Sequence, residues 1–236
     1  MKKAIIIGAS SGIGYELSKL LSKNGYMVGI TGRRKKLLSQ LQAELSNKTL
    51  IKQMDVSKEA SIQHLKNLIN EMDGVNLIIV SAGIWFEDQG VPWKTEKETI
   101  DTNVVGFTAM ANVAYHYFQE RKSGHLVGIS SVAAIRGGGA PAYNASNAFM
   151  SNYLQGLRYL ANKTKSPITI TDIKAGFVGT KMAKGKGLFW VASPKKAAAQ
   201  IYRAIKNKRR QSYVTKRWIL VGWALKCLPD FIYNKL

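Results

Sequence analysis

The chain has 236 residues, 46% of them hydrophobic and 21% charged, and its 35 Lys and Arg against 14 Asp and Glu give a formal net charge of +21. That length and apolar content suit one α/β domain with a sizeable core and exclude a disordered chain. The lone Cys227 excludes an internal disulfide framework and a multi-thiolate metal site, and it fits a reducing, cytoplasmic compartment.

At the N-terminus, Met1-Lys2-Lys3 precedes an apolar run too short for a signal peptide, and no run approaches the ~20 apolar residues of a membrane span. Strand-length apolar runs lie at residues 3–8, 27–31, 49–54, 77–81, 125–130 and 168–174, with a weaker one at 213–214. Helical periodicity fills 13–24, 35–46, 58–72, 99–121, 143–161 and 194–206; in the second of these Leu37, Leu38, Leu41 and Leu45 form one apolar stripe. Strict alternation predicts a doubly wound α/β fold, a parallel sheet of about seven strands with helices on both faces. Ser193-Pro194 opens the last of these helices, the serine as cap and the proline in the first turn. No repeat or linker divides the chain, so residues 1–215 read as one Rossmann-type domain and 216–236 as a C-terminal extension.

The first strand runs into Gly8-Ala9-Ser10-Ser11-Gly12-Ile13-Gly14 at the start of the first helix. Gly8 permits a tight turn, Gly12 close approach of backbone to a pyrophosphate, and Gly14 close helix–strand packing, while free N–H groups at the helix start favour phosphate charge. Three glycines alone are weak evidence and leave a plain turn as the competing reading; the strand before and the helix after favour a nucleotide. The second strand ends in Gly32-Arg33-Arg34-Lys35-Lys36, with no carboxylate where an NAD site places one for the ribose hydroxyl. Guanidinium groups at Arg33 and Arg34 suit a 2′-phosphate instead, so NADP(H) is expected in preference to NAD(H). After the third strand, Asp55 and the Val56 backbone are placed to bond adenine; the competing reading is a cap for the helix that follows.

Farther along, Ser81-Ala82-Gly83 ends the fourth strand, Asp101-Thr102-Asn103 lies in the long central helix, Ser130-Ser131 ends the fifth strand, Tyr143-Asn144-Ala145-Ser146-Asn147 opens a helix, and Gly176-Phe177-Val178-Gly179-Thr180 follows the sixth strand. Together with Gly8–Gly14 and Asp55-Val56, in this order and at these strand ends, the chain resembles the short-chain dehydrogenase/reductase family along nearly its whole length. The resemblance implies hydride transfer between NADP(H) and a small-molecule carbonyl or alcohol. Tyr143 would be the general acid for reduction, Ser131 the group that holds the substrate oxygen, and Asn103 part of a proton relay. The cofactor would rest on Gly8, Ser10, Ser11, Gly12, Ile13, Gly14, Arg33, Arg34, Asp55, Val56, Ser81, Ala82, Gly83, Tyr143, Asn147, Gly176, Val178 and Thr180. Assembly as a homodimer or homotetramer is likewise implied.

One departure bears on the chemistry. The family motif is Tyr-x-x-x-Lys, and Asn147 stands where the lysine is expected. It lies one helical turn from Tyr143, yet an amide supplies no cation to favour phenolate at a group with a reference pKa of about 10. The alternative to a reductase is therefore a non-catalytic NADP(H)-binding module, unless a cation such as Arg136, Lys174 or Lys181 substitutes. A second departure is a shortened loop between Ser131 and Tyr143: spacing favours Ser130 as the substrate serine, the local word Ser-Ser-Val-Ala favours Ser131, and Ser131 is chosen because loops absorb deletions.

Trp85, Phe86 and Trp93, with Leu188-Phe189-Trp190, flank the carboxyl ends of the strands, where they suit an apolar substrate or ordinary packing equally. His64, His116 and His125 lack ligand spacing, so no metal is expected. In residues 181–236, 14 Lys and Arg stand against Asp230 alone, around the apolar run from Trp218 to Leu228. This tail is read either as a helix packed on the domain or a partner subunit, or as an element lying on a membrane face. No nucleic-acid-reading motif accompanies the charge.

Overall fold

The computed structural model describes residues 1–86, 90–180, 182 and 188–233. Seven parallel strands form one sheet in the order β3-β2-β1-β4-β5-β6-β7: β1 Lys3–Ile7, β2 Met27–Gly32, β3 Thr49–Gln53, β4 Leu77–Val80, β5 Gly124–Ser131, β6 Ile168–Ala175 and β7 Gln211–Val214. The order reverses between β1 and β4. That reversal opens a crevice at the carboxyl ends of the strands, where both site-bearing turns emerge.

Alternation along β1 shows why the strands read as unbroken apolar runs. Ile5 and Ile7 point into one core and Ala4 and Ile6 into the other, and all four are fully buried. The first core is completed by α3 (Ala60–Glu71), α5 (Phe107–Glu120) and α6 (Pro141–Lys163) through Leu65, Leu68, Phe107, Phe118 and Leu154. The second is completed by α1 (Gly12–Lys23), α2 (Lys35–Glu44) and α7 (Pro194–Lys206) through Leu17, Leu21, Leu38, Leu41 and Ile201. Of the leucine stripe on α2, Leu38 and Leu41 are fully buried and Leu37 and Leu45 half-buried. Ser193 caps α7 as expected, its Oγ accepting the Lys196 N–H at 3.2 Å behind Pro194.

The long central helix starts earlier than its apolar periodicity predicts. It opens as α4 (Trp93–Ile100) behind Pro92, passes through a wide π-type turn at Asp101–Gly106, and continues as α5. The wide turn adds a residue to the helical circuit and breaks the periodicity that marks a helix in sequence. Beyond β7, the extension folds back as α8 (Trp218–Cys227) and α9 (Asp230–Tyr233). The Trp218 face of α8 is buried on the domain, so the packed-helix reading describes that face; no helix among the described residues is long and apolar enough to cross a membrane.

His125 on β5 is buried, its Nε2 2.8 Å from Thr171 Oγ1, and burial, aided by the Lys208 charge, pushes the imidazole down to about 4. Between about pH 4 and 6.5 the unfolded chain therefore binds a proton that the folded chain refuses. Stability present at neutral pH is lost as the pH falls through this window. We predict that urea unfolding free energy drops by about 3 kcal/mol from pH 7 to pH 4 on this account, and that His125→Asn removes that part of the pH dependence.

Candidate active site

The nucleotide end is built around bare backbone. Gly8 has φ +92°, and its N–H and that of Ala9 both donate to the Thr31 carbonyl, at 3.0 and 2.9 Å. A β-carbon on Gly8 would strike the backbone of Ala82, and one on Gly14 would strike the Gly8 carbonyl, so β1, α1 and the turn after β4 meet without intervening side chains. Gly12, φ +62°, lies under the Thr180 methyl. Ile13, the next residue of α1, is half-buried against the core shared by α1, α2 and α7. Ser11 caps α1 without a side-chain bond to it, and the first turn carries no acid, which leaves the helix-start N–H groups facing outward for an anion.

Arg34 leans over this turn. Its Nη2 lies 2.8 Å from both the Ser10 and Ser11 hydroxyls, and among the described residues it has no carboxylate partner. A free guanidinium beside two hydroxyls fits the 2′-phosphate of NADP(H). The Arg33 side chain is exposed, and its carbonyl accepts from Gln53 at 3.0 Å. Asp55 closes a local turn ahead of α3, its Oδ1 accepting the N–H and the hydroxyl of Ser57 at 3.1 and 2.8 Å, and it does not cap that helix, which starts at Ala60. Val56 is buried against Gly106. The Ser81 N–H donates to Ile7 at 2.8 Å, and Gly83 lies against Asn103.

At the other end of the crevice, Pro141 starts α6 and its first turn carries Tyr143. The ring is half-buried. Burial pushes this phenol above its ordinary value, and the bonds to Ser131 and Asn147 oppose the rise only in part. Asn147 also donates from Nδ2 to the Tyr143 carbonyl at 2.8 Å, which locks the amide to its own helix turn. Ser131, the last residue of β5, donates to the Ala175 carbonyl at 3.2 Å and accepts from Ala133 N–H at 3.1 Å.

Ser130 points to the opposite face of the strand. There it donates to Asp172 at 2.5 Å and receives a bond from Ser151, which is itself bonded by Lys174 Nζ at 2.6 Å. Lys174 also pairs with Asp172 at 3.2 Å, both being buried. The sequence signal for this network was a pair of charges two residues apart in a central strand, which must share a face. Arg136 is equally committed: it bonds the Leu225 and Leu228 carbonyls and Asp230, and it stacks on Tyr233. Lys181 lies outside the described residues. Neither Lys174 nor Arg136 therefore stands in for the missing lysine at Tyr143.

Asn103 occupies the wide turn between α4 and α5 and clamps the chain after β4. Its Oδ1 accepts the Ile84 N–H and its Nδ2 donates to the Ile84 carbonyl, both at 2.9 Å, with Ser146 Oγ at 3.2 Å. It thereby holds in place the turn that carries Trp85 and Phe86. Those two aromatics line a cleft with Pro92, Glu96, Ala140 and Tyr143. Glu96, not anticipated from sequence, accepts the Ala142 N–H at 3.0 Å and ties α4 to the start of α6. Trp93 is 71% exposed, and Phe189 and Trp190 pack on Trp218, so these three aromatics are not part of the cleft lining. Gly176 lies against the Trp218 indole, its N–H bonded to the Val214 carbonyl at 2.6 Å; Val178 bridges to Ala192, and Thr180 covers Gly12.

A family model described as short chain dehydrogenase matches residues 2–188. An uncharacterized oxidoreductase of Myxococcus xanthus (strain DK1622) is 35% identical over 188 residues, covering 77% of this chain and 74% of the relative. An NADP-dependent 3-hydroxy acid dehydrogenase of Escherichia coli (strain K12) is 30% identical over 183 residues, covering 74% and 72%. In fold, the chain superposes on a short-chain dehydrogenase from Sphingobium yanoikuyae in complex with NADPH with a TM-score of 0.81, at 18% identity and 98% and 97% coverage.

The buried phenol sets a measurable expectation. In ultraviolet difference titration against Tyr143→Phe, Tyr143 should ionise only above pH 10. Asn147→Lys, which restores a cation one turn away, should lower that pH by about 1–3.

Proposed function

Since the chain belongs to the short-chain dehydrogenase/reductase family, we propose that it is an NADP(H)-dependent reductase that converts a small, largely apolar carbonyl compound to its alcohol. The observation that carries this reading is the meeting of Ser131, Asn147 and the Tyr143 hydroxyl beside a cleft walled by Trp85 and Phe86. When bound, the cofactor supplies a hydride to the carbonyl carbon. Ser131 orients the carbonyl oxygen, and Tyr143, protonated at neutral pH, donates its proton to that oxygen. A phenol kept protonated favours this direction over alcohol oxidation, which needs phenolate as the base.

The cofactor would rest on Gly8–Gly14, with its 2′-phosphate on Arg34 and the hydroxyl of Ser10. The NADP-dependent relative from Escherichia coli supports that choice. Asn147 has its Nδ2 engaged with its own helix, which leaves its Oδ1 as the acceptor for a ribose hydroxyl. A lysine at this place would both lower the tyrosine and return its proton quickly, so turnover is expected to be slow. The second reading, a cofactor-binding module without turnover, is favoured by the same observation: among the described residues no cation lowers Tyr143. Assembly into a homodimer or homotetramer belongs to the proposal as the family's habit.

The test combines equilibrium titration of NADPH and NADH with turnover on a panel of aromatic and aliphatic ketones. Wild type is expected to bind NADPH and reduce small apolar ketones slowly, Tyr143→Phe to lose that activity, and Asn147→Lys to raise kcat by about 10²-fold. Activity in Asn147→Lys alone establishes the binding module; equal turnover in wild type and Asn147→Lys overturns the assigned role of the missing lysine. Arg34→Ala should weaken NADPH binding by about 10–100-fold and leave NADH unchanged.

A further inference from the structure

The C-terminal helices present a surface that the reductase reading does not use. α8 buries Trp218 and sets Gly222 against Ile135 and Tyr213, while its outer side carries Leu220 and Trp223, 70% and 69% exposed. Phe231 on α9, also 70% exposed, and the partly exposed Ile219 and Ile232 add to the apolar face. Phe189 stacks on Trp218 at 5.1 Å, so the half-exposed loop Phe189-Trp190-Val191 adjoins the helix start. Helical spacing puts Leu220, Trp223 and Cys227 of α8 in one row, with Lys226 beside Trp223. Arg217 extends over the Trp190 ring at 5.9 Å.

The charge along this segment is of one sign. Across residues 216–233 Lys216, Arg217 and Lys226 stand against Asp230 alone, and Asp230 is paired with Arg136. A ten-residue helix is about 15 Å long, half the thickness of a bilayer core, so it lies along an interface and does not cross it. Exposed tryptophan and leucine bordered by uncompensated cations match an anionic lipid surface in both apolar depth and charge. A second copy of the chain would bring the same unpaired positive charge to a shared face, which argues against self-association here. We propose that α8 and α9 form a peripheral docking surface for anionic membranes, with Leu220, Trp223 and Phe231 entering the headgroup boundary and Lys216, Arg217 and Lys226 facing lipid phosphates.

The full chain can be floated with vesicles of phosphatidylcholine alone and of phosphatidylcholine mixed with phosphatidylglycerol. Retention is expected on the mixed vesicles and little on the neutral ones, with loss at high salt. Leu220→Ser/Trp223→Ser/Phe231→Ser should reduce retention at least about tenfold without altering the thermal melt, because all three side chains lie outside the core. Lys216→Gln/Arg217→Gln/Lys226→Gln should remove the preference for anionic over neutral lipid. Absence of wild-type binding, or equal retention of the serine variant, overturns the proposal. A wild-type chain that ignores vesicles but loses mass in light scattering when the serines are introduced shows that a second copy covers this face, and likewise overturns it.

Discussion

Around Gly8, three pieces of backbone approach within van der Waals contact with no side chain between them: the end of β1, the start of α1 and the turn after β4. Each contact excludes a β-carbon, so the crevice depends on glycine at Gly8 and Gly14 in a way that hydrophobic packing cannot replace. The same crossing aligns the carboxyl ends of β1, β2 and β4. Arg34 from the end of β2 thereby reaches the hydroxyls of Ser10 and Ser11, and the chain after β4 reaches Asn103. A phosphate cradle and the wall of the substrate cleft thus share one constraint.

At the other end of the crevice burial governs Tyr143. A tyrosine hydroxyl taken out of water resists ionisation, and among the described residues no cation opposes that rise. Two of the cations that flank these loops in sequence are spent elsewhere. Lys174 neutralises Asp172 beneath the site, and Arg136 binds the chain's last helices. Removing either from its partner would expose a buried charge or loosen a loop, so neither is free to move toward Tyr143 without cost.

Much of this was legible in the residues. The sheet alternation, the glycine turn, the cap at Ser193 and the loss of lysine at Asn147 all follow from local rules, since each concerns backbone geometry or a neighbour within one turn. The choice of Ser131 over Ser130 was also within reach, and the strand explains it: adjacent residues face opposite sides, one toward Tyr143 and one toward Asp172. What stayed hidden depends on distant partners. The clamp that Asn103 places on the backbone of Ile84, reached across a wide turn, has no local signature. The pairing of Arg136 with residues nearly a hundred positions later leaves no local trace.

That last pairing orders the birth of the molecule. Tyr233 bonds the Gly137 carbonyl, Arg136 grips the carbonyls that end α8, and Trp218 fills the space over Gly176, so both loops flanking Tyr143 lean on residues 218–233. A chain emerging from the ribosome can close the glycine turn at Gly8 once β4 has appeared. The loops beside Tyr143 gain their supports only after residues 218–233 have followed, so the two ends of the crevice are ordered at different moments of synthesis.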